Sequence, residues 1–378
     1  MKHINPVLVF LLFCLLVYSC QKPSSRDKAH ELYLKGRQIL LYDRTEVAAG
    51  ENYYAKAAEY FEQAIAIDPT YAPAHANLAY PSAVKNINIK KMPPDEAGII
   101  ARQTAEKALA LDPNLSDGYV ALGIIQMVYE NDPKGSEKSL KRAIELDAQN
   151  SEAHKEYGLL LRRYFGRFKD ALNEVKQASE LDPESIDAQY ELAMTYRFNN
   201  QYDKALEFSQ KALNGDPNRI VYYVEVAHDY IMSGEYDEAL AVAQKGLNVN
   251  PDNLSLNGYR GWSYIKKGMY KEALAAYEKA KNRAGIGWVY ALMGKRNEAM
   301  KIINELTKLR EEGARNAWSI SWVYMNLSEK EKAMDWLEKS YEENQNRSGF
   351  GNWKWQLSAY DDYDVLRSEP RFQALLKK

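Results

Sequence analysis

An all-α solenoid of helical hairpins is the fold this sequence predicts, and three observations predict it. Helix-ending dipeptides recur at a fixed phase: Asp68-Pro69, Asp112-Pro113, Asp147-Ala148, Asp182-Pro183, Asp216-Pro217 and Asn250-Pro251, at steps of 44, 35, 35, 34 and 34 residues. About a dozen positions before each of these turns stands a small residue: Ala57, Ala101, Ser136, Ala171, Ala205 and Ala239, continued by Ala273, Ala299 and Ala333. In the preceding helix of each unit a large residue sits beside a small one: Leu78-Ala79, Leu122-Gly123, Tyr157-Gly158, Leu192-Ala193, Val226-Ala227 and Arg260-Gly261.

Each element has a physical cause. Proline ends the second helix of a unit because its ring clashes with the preceding turn and it lacks a donor. The aspartate before it is suited to accept local backbone hydrogen bonds at the exit. A second set of small residues, Ala64, Ala108, Ala143, Ala178, Ala212, Gly246 and Ala280, follows the first by seven, which places both sets on one helix face. A hairpin apolar on more than one side cannot bury that surface alone, and stacking neighbours buries it as a continuous core. A period near 34 with proline at constant phase resembles the tetratricopeptide repeat, a helix–turn–helix unit. That resemblance implies a right-handed superhelix of about nine units, closed by a C-terminal helical cap, that works through the surface it presents.

Along the chain, residues 1–19 read as a lipoprotein signal peptide, 20–27 as a lipidated tether, 28–346 as the repeats and 347–378 as the cap. The first helix is expected from Ala29 to Leu41. Asp43 to Asn52 reads as a polar insertion, and Pro81 to Pro94 as a larger one that accounts for the 44-residue step. Ala273 and Ala299 are only 26 residues apart, so one unit is compressed, with Gly285 and Gly287 in the squeezed stretch.

The N-terminus reads as an address. Met1-Lys2-His3 is basic, and Val7 to Tyr18 is an apolar run too short to span a bilayer, which needs about 20 residues. Val17-Tyr18-Ser19-Cys20 resembles a bacterial lipobox, with Cys20 as lipid acceptor. The only cysteines are Cys14 and Cys20, so cleavage before Cys20 and its acylation would leave a mature domain without a thiol. The expected setting is the bacterial cell envelope; Gln21 after the cysteine points to the outer membrane, facing the periplasm or the cell surface. Apart from the lipid on Cys20, no cofactor is expected.

The chain carries 50 basic and 52 acidic residues, for a net charge of −2, with no Lys/Arg block to track a phosphate backbone; nucleic acid is not an expected partner. No Gly-rich phosphate loop, metalloprotease helix, nucleophile elbow or paired Cys-x-x-Cys stands in the sequence, so no enzyme is predicted. His3, His30, His75, His154 and His228 have no mutual ligand spacing and read as helix-surface or packed residues. Asp361-Asp362-Tyr363-Asp364 lacks the glycine and terminal glutamate of a calcium loop and reads as a solvated turn, with Ser368 as the cap of the last helix.

Ala29 to Arg37, Tyr60 to Pro69, Pro93 to Ala97, Trp336 to Glu343 and Leu366 to Leu376 together resemble the tetratricopeptide regions of certain bacterial signalling proteins. There such repeats follow a kinase, cyclase-like or winged-helix domain, whereas here a lipoprotein leader stands in that place. The resemblance therefore implies an interaction role only. In such repeats the first helices line the concave face, which directs Tyr80, Lys155, Arg162, Tyr190, Arg197, His228, Trp262 and Lys266 towards a groove. Arg, Tyr and Trp concentrate binding energy, so this set suits an extended or helical protein segment with an acidic group and an apolar anchor. All seven tryptophans lie at or beyond Trp262. They either fill the junctions left by the compressed unit and the cap, or leave Trp353 and Trp355 partly exposed as a second contact. The expected function is a membrane-anchored scaffold that binds a peptide or protein segment. The rival is a glycan-binding nutrient-capture lipoprotein of the outer membrane.

Overall fold

The computed structural model describes residues 24–41, 52–345 and 350–377. The N-terminal address, Cys20 and all of the 43–52 insertion but Asn52 lie outside the described residues. The chain divides at Glu130/Asn131 into two compact units. Both are built from α-helices, and among the described residues there is no strand.

The first unit holds α1 (Ser25–Leu41), α2 (Tyr53–Ile67), α3 (Ala72–Lys90), α4 (Pro94–Leu111) and α5 (Ser116–Val128). α1 pairs with α2 and α3 with α4, while α5 packs against both helices of the second pair. Helix α1 starts four residues before Ala29, inside the stretch read as a tether, because Ser24 and Asp27 cap it reciprocally. The Asp27 amide donates to Ser24 Oγ (3.1 Å), and the Ser24 amide to Asp27 Oδ2 (2.9 Å). The expected insertion at 81–94 is mostly helix: α3 runs straight through Pro81 to Lys90, and only residues 91–93 form the turn. Proline deprives the helix of one hydrogen bond there. Around it, Ala79 and Ala83 are wholly buried in a core shared with Ala97, Ala101 and Ala105 of α4, and that close contact holds the helix together.

The second unit opens with α6 (Pro133–Leu146), followed by α7 (Ser151–Arg163), α8 (Phe168–Leu181), α9 (Ile186–Phe198) and α10 (Tyr202–Gly215). It continues with α11 (Ile220–Met232), α12 (Tyr236–Val249), α13 (Leu254–Lys266) and α14 (Tyr270–Lys279). Then come α15 (Arg283–Leu292), α16 (Arg296–Glu311), α17 (Ala317–Asn326) and α18 (Lys330–Asn344). From α7 to α18 consecutive helices pair as hairpins, and each hairpin packs on the next. The tail adds α19 (Phe350–Ala359), a 3-10 turn (Asp361–Leu366) and α20 (Pro370–Lys377).

The alanine positions read from the sequence are the helix–helix contacts. Ala57, Ala101, Ser136, Ala171, Ala205, Ala239, Ala273, Ala299 and Ala333 are all at most 1% exposed. At the exits, Asp68 Oδ1 accepts from the Thr70 amide (3.0 Å), Asp112 from Asn114 (3.0 Å) and Asp147 from Gln149 (2.9 Å). A further regularity marks the turns inside the hairpins. Gly166, Asn200, Gly234, Gly268, Gly294 and Ser328 all have positive φ, at steps of 34, 34, 34, 26 and 34 residues. The 26-residue step is the compressed unit, in which α14 and α15 are ten residues each. It closes over Tyr277: a Cβ at Gly285 would lie 2.5 Å from that ring.

Candidate functional site

The first helices of the hairpins in the second unit, α7, α9, α11 and α13, share one face, and the sequence-predicted groove residues other than Tyr80 lie along it. Tyr80 belongs to the first unit, in a half-buried row with Tyr54 (5.2 Å between ring centroids) and Tyr129 (6.3 Å).

The cations of this face are not free for a partner. Arg162 is 1% exposed; its Nη2 donates to Glu191 on α9, and its guanidinium lies 5.2 Å from the centre of the Phe198 ring. Arg197, at the equivalent position of α9, reaches α11, where Nε donates to Asp229 Oδ1 (2.6 Å) and Nη1 to Glu225 Oε2 (2.5 Å). Glu191 and Glu225 are 34 residues apart, so each arginine forms a rung from one first helix to the next. Lys155 is buried beside Glu152 (2.7 Å) and Glu156 (3.3 Å). Tyr190 is half-buried against Tyr222, 5.5 Å away, and burial pushes its phenol well up. The expectation that Lys155, Arg162 and Arg197 face an open groove is therefore corrected. A buried charge is tolerated only when paired: the two arginines are held inward by carboxylates of the neighbouring repeat, and Lys155 by those of its own helix.

Burial also pushes the Glu156 carboxyl up to about 7, against the pull of the Lys155 ammonium. A carboxyl raised above its unfolded value stabilises the fold at low pH, and that contribution is lost as pH rises through the raised value. The second unit should thus lose about 1–3 kcal/mol more stability between pH 5 and pH 8 than a Glu156→Gln variant does. Urea unfolding of both proteins at the two pH values checks it, and equal losses would remove Glu156 from the account.

The rest of the face is covered by the chain's own tail. Helix α19 packs on α7. Trp355 stands edge-on to Phe198 at 4.7 Å, and its Nε1 donates to Asn200 Oδ1 (3.2 Å). The Tyr360 hydroxyl meets His228 Nε2 on α11 (3.3 Å), and its ring lies 5.1 Å from Trp262 on α13. His228 in turn stacks on Tyr259 at 5.2 Å with 3° between the planes, and burial keeps its imidazole pKa well below the ordinary range. Lys266, at the end of α13, donates to Asp361 (2.9 Å) and Asp362 (3.1 Å). Asp362 Oδ2 and Trp262 Nε1 are buried without a hydrogen-bond partner, and so is Arg162 Nε. Beside Asn200 an open cavity of about 430 Å³ is bounded by Phe168, Lys169, Asp170 and Phe198.

Trp353 and Trp355 are 7% and 4% exposed, which corrects their assignment as an accessible second contact. Trp353 Nε1 donates to Ser340 Oγ (3.0 Å) on α18, so this ring fills the junction at the cap. The acidic run at 361–364 is not a solvated turn throughout, since the Asp362 side chain is only 12% exposed in its pair with Lys266. Glu369, not Ser368, precedes α20. Asn200, Tyr259, Tyr360, Asp361 and Asp362 are among the residues of this face that sequence reasoning missed. Asn200 could have been found from its place in the 34-residue series of left-handed turns; the others have no local signal.

Among the described residues no three His, Cys, Asp or Glu side chains are grouped to hold a metal ion. No helix among them is long and apolar enough to cross a membrane.

The class these features define is an α-solenoid of tetratricopeptide repeats. Tetratricopeptide-repeat family profiles match residues 47–71, 164–224, 227–287 and 314–347. Among solved structures, the chain is similar to MamA at 23% identity, over 42% of this chain and 91% of that one, with a TM-score of 0.38. It is similar to YrrB, described as a TPR protein with an unusual peptide-binding site, at 21% identity, covering 53% and 96% respectively, with a TM-score of 0.37. PilF of Pseudomonas aeruginosa matches at 18% identity, over 62% of this chain and 99% of that one, with a TM-score of 0.44. No curated protein sequence matches the chain.

Proposed function

We propose that this protein is a non-enzymatic protein–protein interaction scaffold, anchored to the bacterial envelope through a lipid on Cys20, whose second unit receives a peptide segment of a partner. The observation that carries the interaction reading is that the α7–α13 face already holds a polypeptide segment, with an anchor in each successive hairpin: Trp355, Tyr360 and Asp361–Asp362. The anchor rests on the sequence around Cys20, and the outer membrane on Gln21.

Two measurements test these parts separately. Metabolic labelling with a fatty acid should mark the wild-type chain and not a Cys20→Ser variant; equal labelling would remove the anchor. Crosslinking in intact cells from a photoreactive residue at Asn200 should yield a discrete adduct with one protein, and its absence at every inner-face position would count against the scaffold.

The glycan reading keeps one supporting observation, the half-buried row of Tyr53, Tyr54, Tyr80 and Tyr129 in the first unit, with successive centroids 4.2, 5.2 and 6.3 Å apart. Aromatic faces of this kind stack on sugar rings, and calorimetric titration with oligosaccharides decides for or against it.

A further inference from the structure

The tail segment on the inner face satisfies the apolar half of that surface and leaves two of its donors unmet. Trp355, Leu357 and Tyr360 are buried, as a well-fitting occupant requires. Yet Trp262 Nε1 and Arg162 Nε, two donors of the same face, have no acceptor, and Asp362 Oδ2 has no donor. A buried polar atom left unpaired costs much of what the surrounding contacts gain. Of the two pairs with Lys266, the one to Asp361 is formed at a wet rim, where the Asp361 side chain is 72% exposed, and such a pair contributes little. Burial of Asp362 pushes its carboxyl up, against the attraction of Lys266, so its charged form is docked at a cost. The segment is bounded on its C-terminal side by firmer attachments: Tyr363, Leu366, Phe372 and Leu375 are all at most 2% exposed. It can therefore leave the face while its C-terminal end stays fixed.

We propose that residues 355–362 are a resident pseudo-ligand of the α7–α13 face, exchanged for an aromatic, acidic segment of a partner protein. The partner chemistry follows from the unmet groups. Phe198 and the His228–Tyr259–Trp262 cluster take two aromatic side chains. Trp262 Nε1, and the Lys266 ammonium once Asp361 and Asp362 have left it, call for acceptors, which carboxylates and backbone carbonyls of an extended acidic stretch supply. The open cavity beside Asn200 adjoins the site of Trp355 and exposes an edge where an incoming segment first makes contact. The inference rests on the scaffold reading and adds to it a closed state that lowers apparent affinity by the fraction of time the face is covered.

The test uses the full chain and a fluorescein-labelled synthetic peptide with the sequence of residues 350–366. The unaltered chain should bind it weakly. A Tyr360→Ala chain, whose own segment is loosened, should bind it at least tenfold more tightly, and a peptide with alanine at 360, 361 and 362 should bind neither protein. Asp361→Ala, at a largely exposed position, is a second variant that keeps the core intact and should shift affinity in the same direction by a smaller factor. Hydrogen exchange should show the amides of α19 opening faster than those of α11 and α13. Equal peptide affinity in all three chains, or α19 protected as strongly as α13, would overturn the proposal. So would stable dimers formed by mutual exchange of the segment, which would make the occupant a second copy. If an inner-face crosslink to a client persists unchanged in the presence of excess peptide, the scaffold stands and this inference falls.

Discussion

Replacement of Arg197 by alanine should destabilise the second unit by about 3–5 kcal/mol, the range for removal of one member of a buried ion pair. Arg197 is 2% exposed and holds Glu225 and Asp229, whose side chains are 13% and 0% exposed. Without it two carboxylates of α11 remain in a poorly solvated interior with no cation at hand. Arg167→Ala offers the contrast. That side chain is 47% exposed and pairs with Asp170 and Glu137 at the surface, so its loss should cost less than about 1 kcal/mol. Urea unfolding followed by circular dichroism measures both, and a loss below 1 kcal/mol at Arg197 would show that the rungs do not hold the repeats together. The same expectation makes Arg162 and Arg197 poor positions at which to test partner binding, because a loss of binding there would report a loss of structure.

The second large effect is expected at Gly158, where α7 meets α8. A Cβ added there would lie 2.3 Å from Val175 Cγ2 and 3.1 Å from the Ala171 carbonyl oxygen. Gly158→Ala, which ordinarily favours a helix, should instead destabilise by about 1–3 kcal/mol through overpacking. Val175→Ala, which trims the clashing methyl groups, costs stability alone by opening a cavity in a site that is 0% exposed. Together the two changes move volume from one helix to the other. The double variant should be more stable than the sum of the single effects predicts by about 1 kcal/mol or more. Simple additivity would mean that α7 and α8 move apart freely and that the glycine is not required by close approach.

The repeat architecture was legible because its causes are local and recur. A small residue where two helices touch, and an aspartate and proline where a helix stops, are each visible within a few residues and repeated along the chain. Ala57, Ala171 and Ala333 lie as deeply buried as that pattern requires. What was misread at 81–94 is the power of tertiary burial over a helix breaker: Pro81 marks no boundary because Ala79 and Ala83 are held against α4. The inner face was located but its occupancy was not. Arg162 and Arg197 carry the residue types of a binding groove, and nothing local distinguishes an arginine awaiting a ligand from one bonded to the next repeat. The covering segment is even less visible. Trp355 meets Asn200, Tyr360 meets His228 and Asp361 meets Lys266 across separations of 155, 132 and 95 residues, and no periodicity joins such pairs.

Those separations also govern how the second unit comes apart and comes together. In an ordinary linear array each hairpin touches only its neighbours, and unfolding can nibble inward from either end. Here the tail returns to meet α7, α9, α11 and α13, so the C-terminal end of the array is tied back until that return is broken. Unfolding of the closed form should be a single steep transition, where the opened form would unfold in graded steps. Refolding should show a late, slow phase as the tail closes a loop of roughly a hundred residues or more, long after the hairpins themselves have formed.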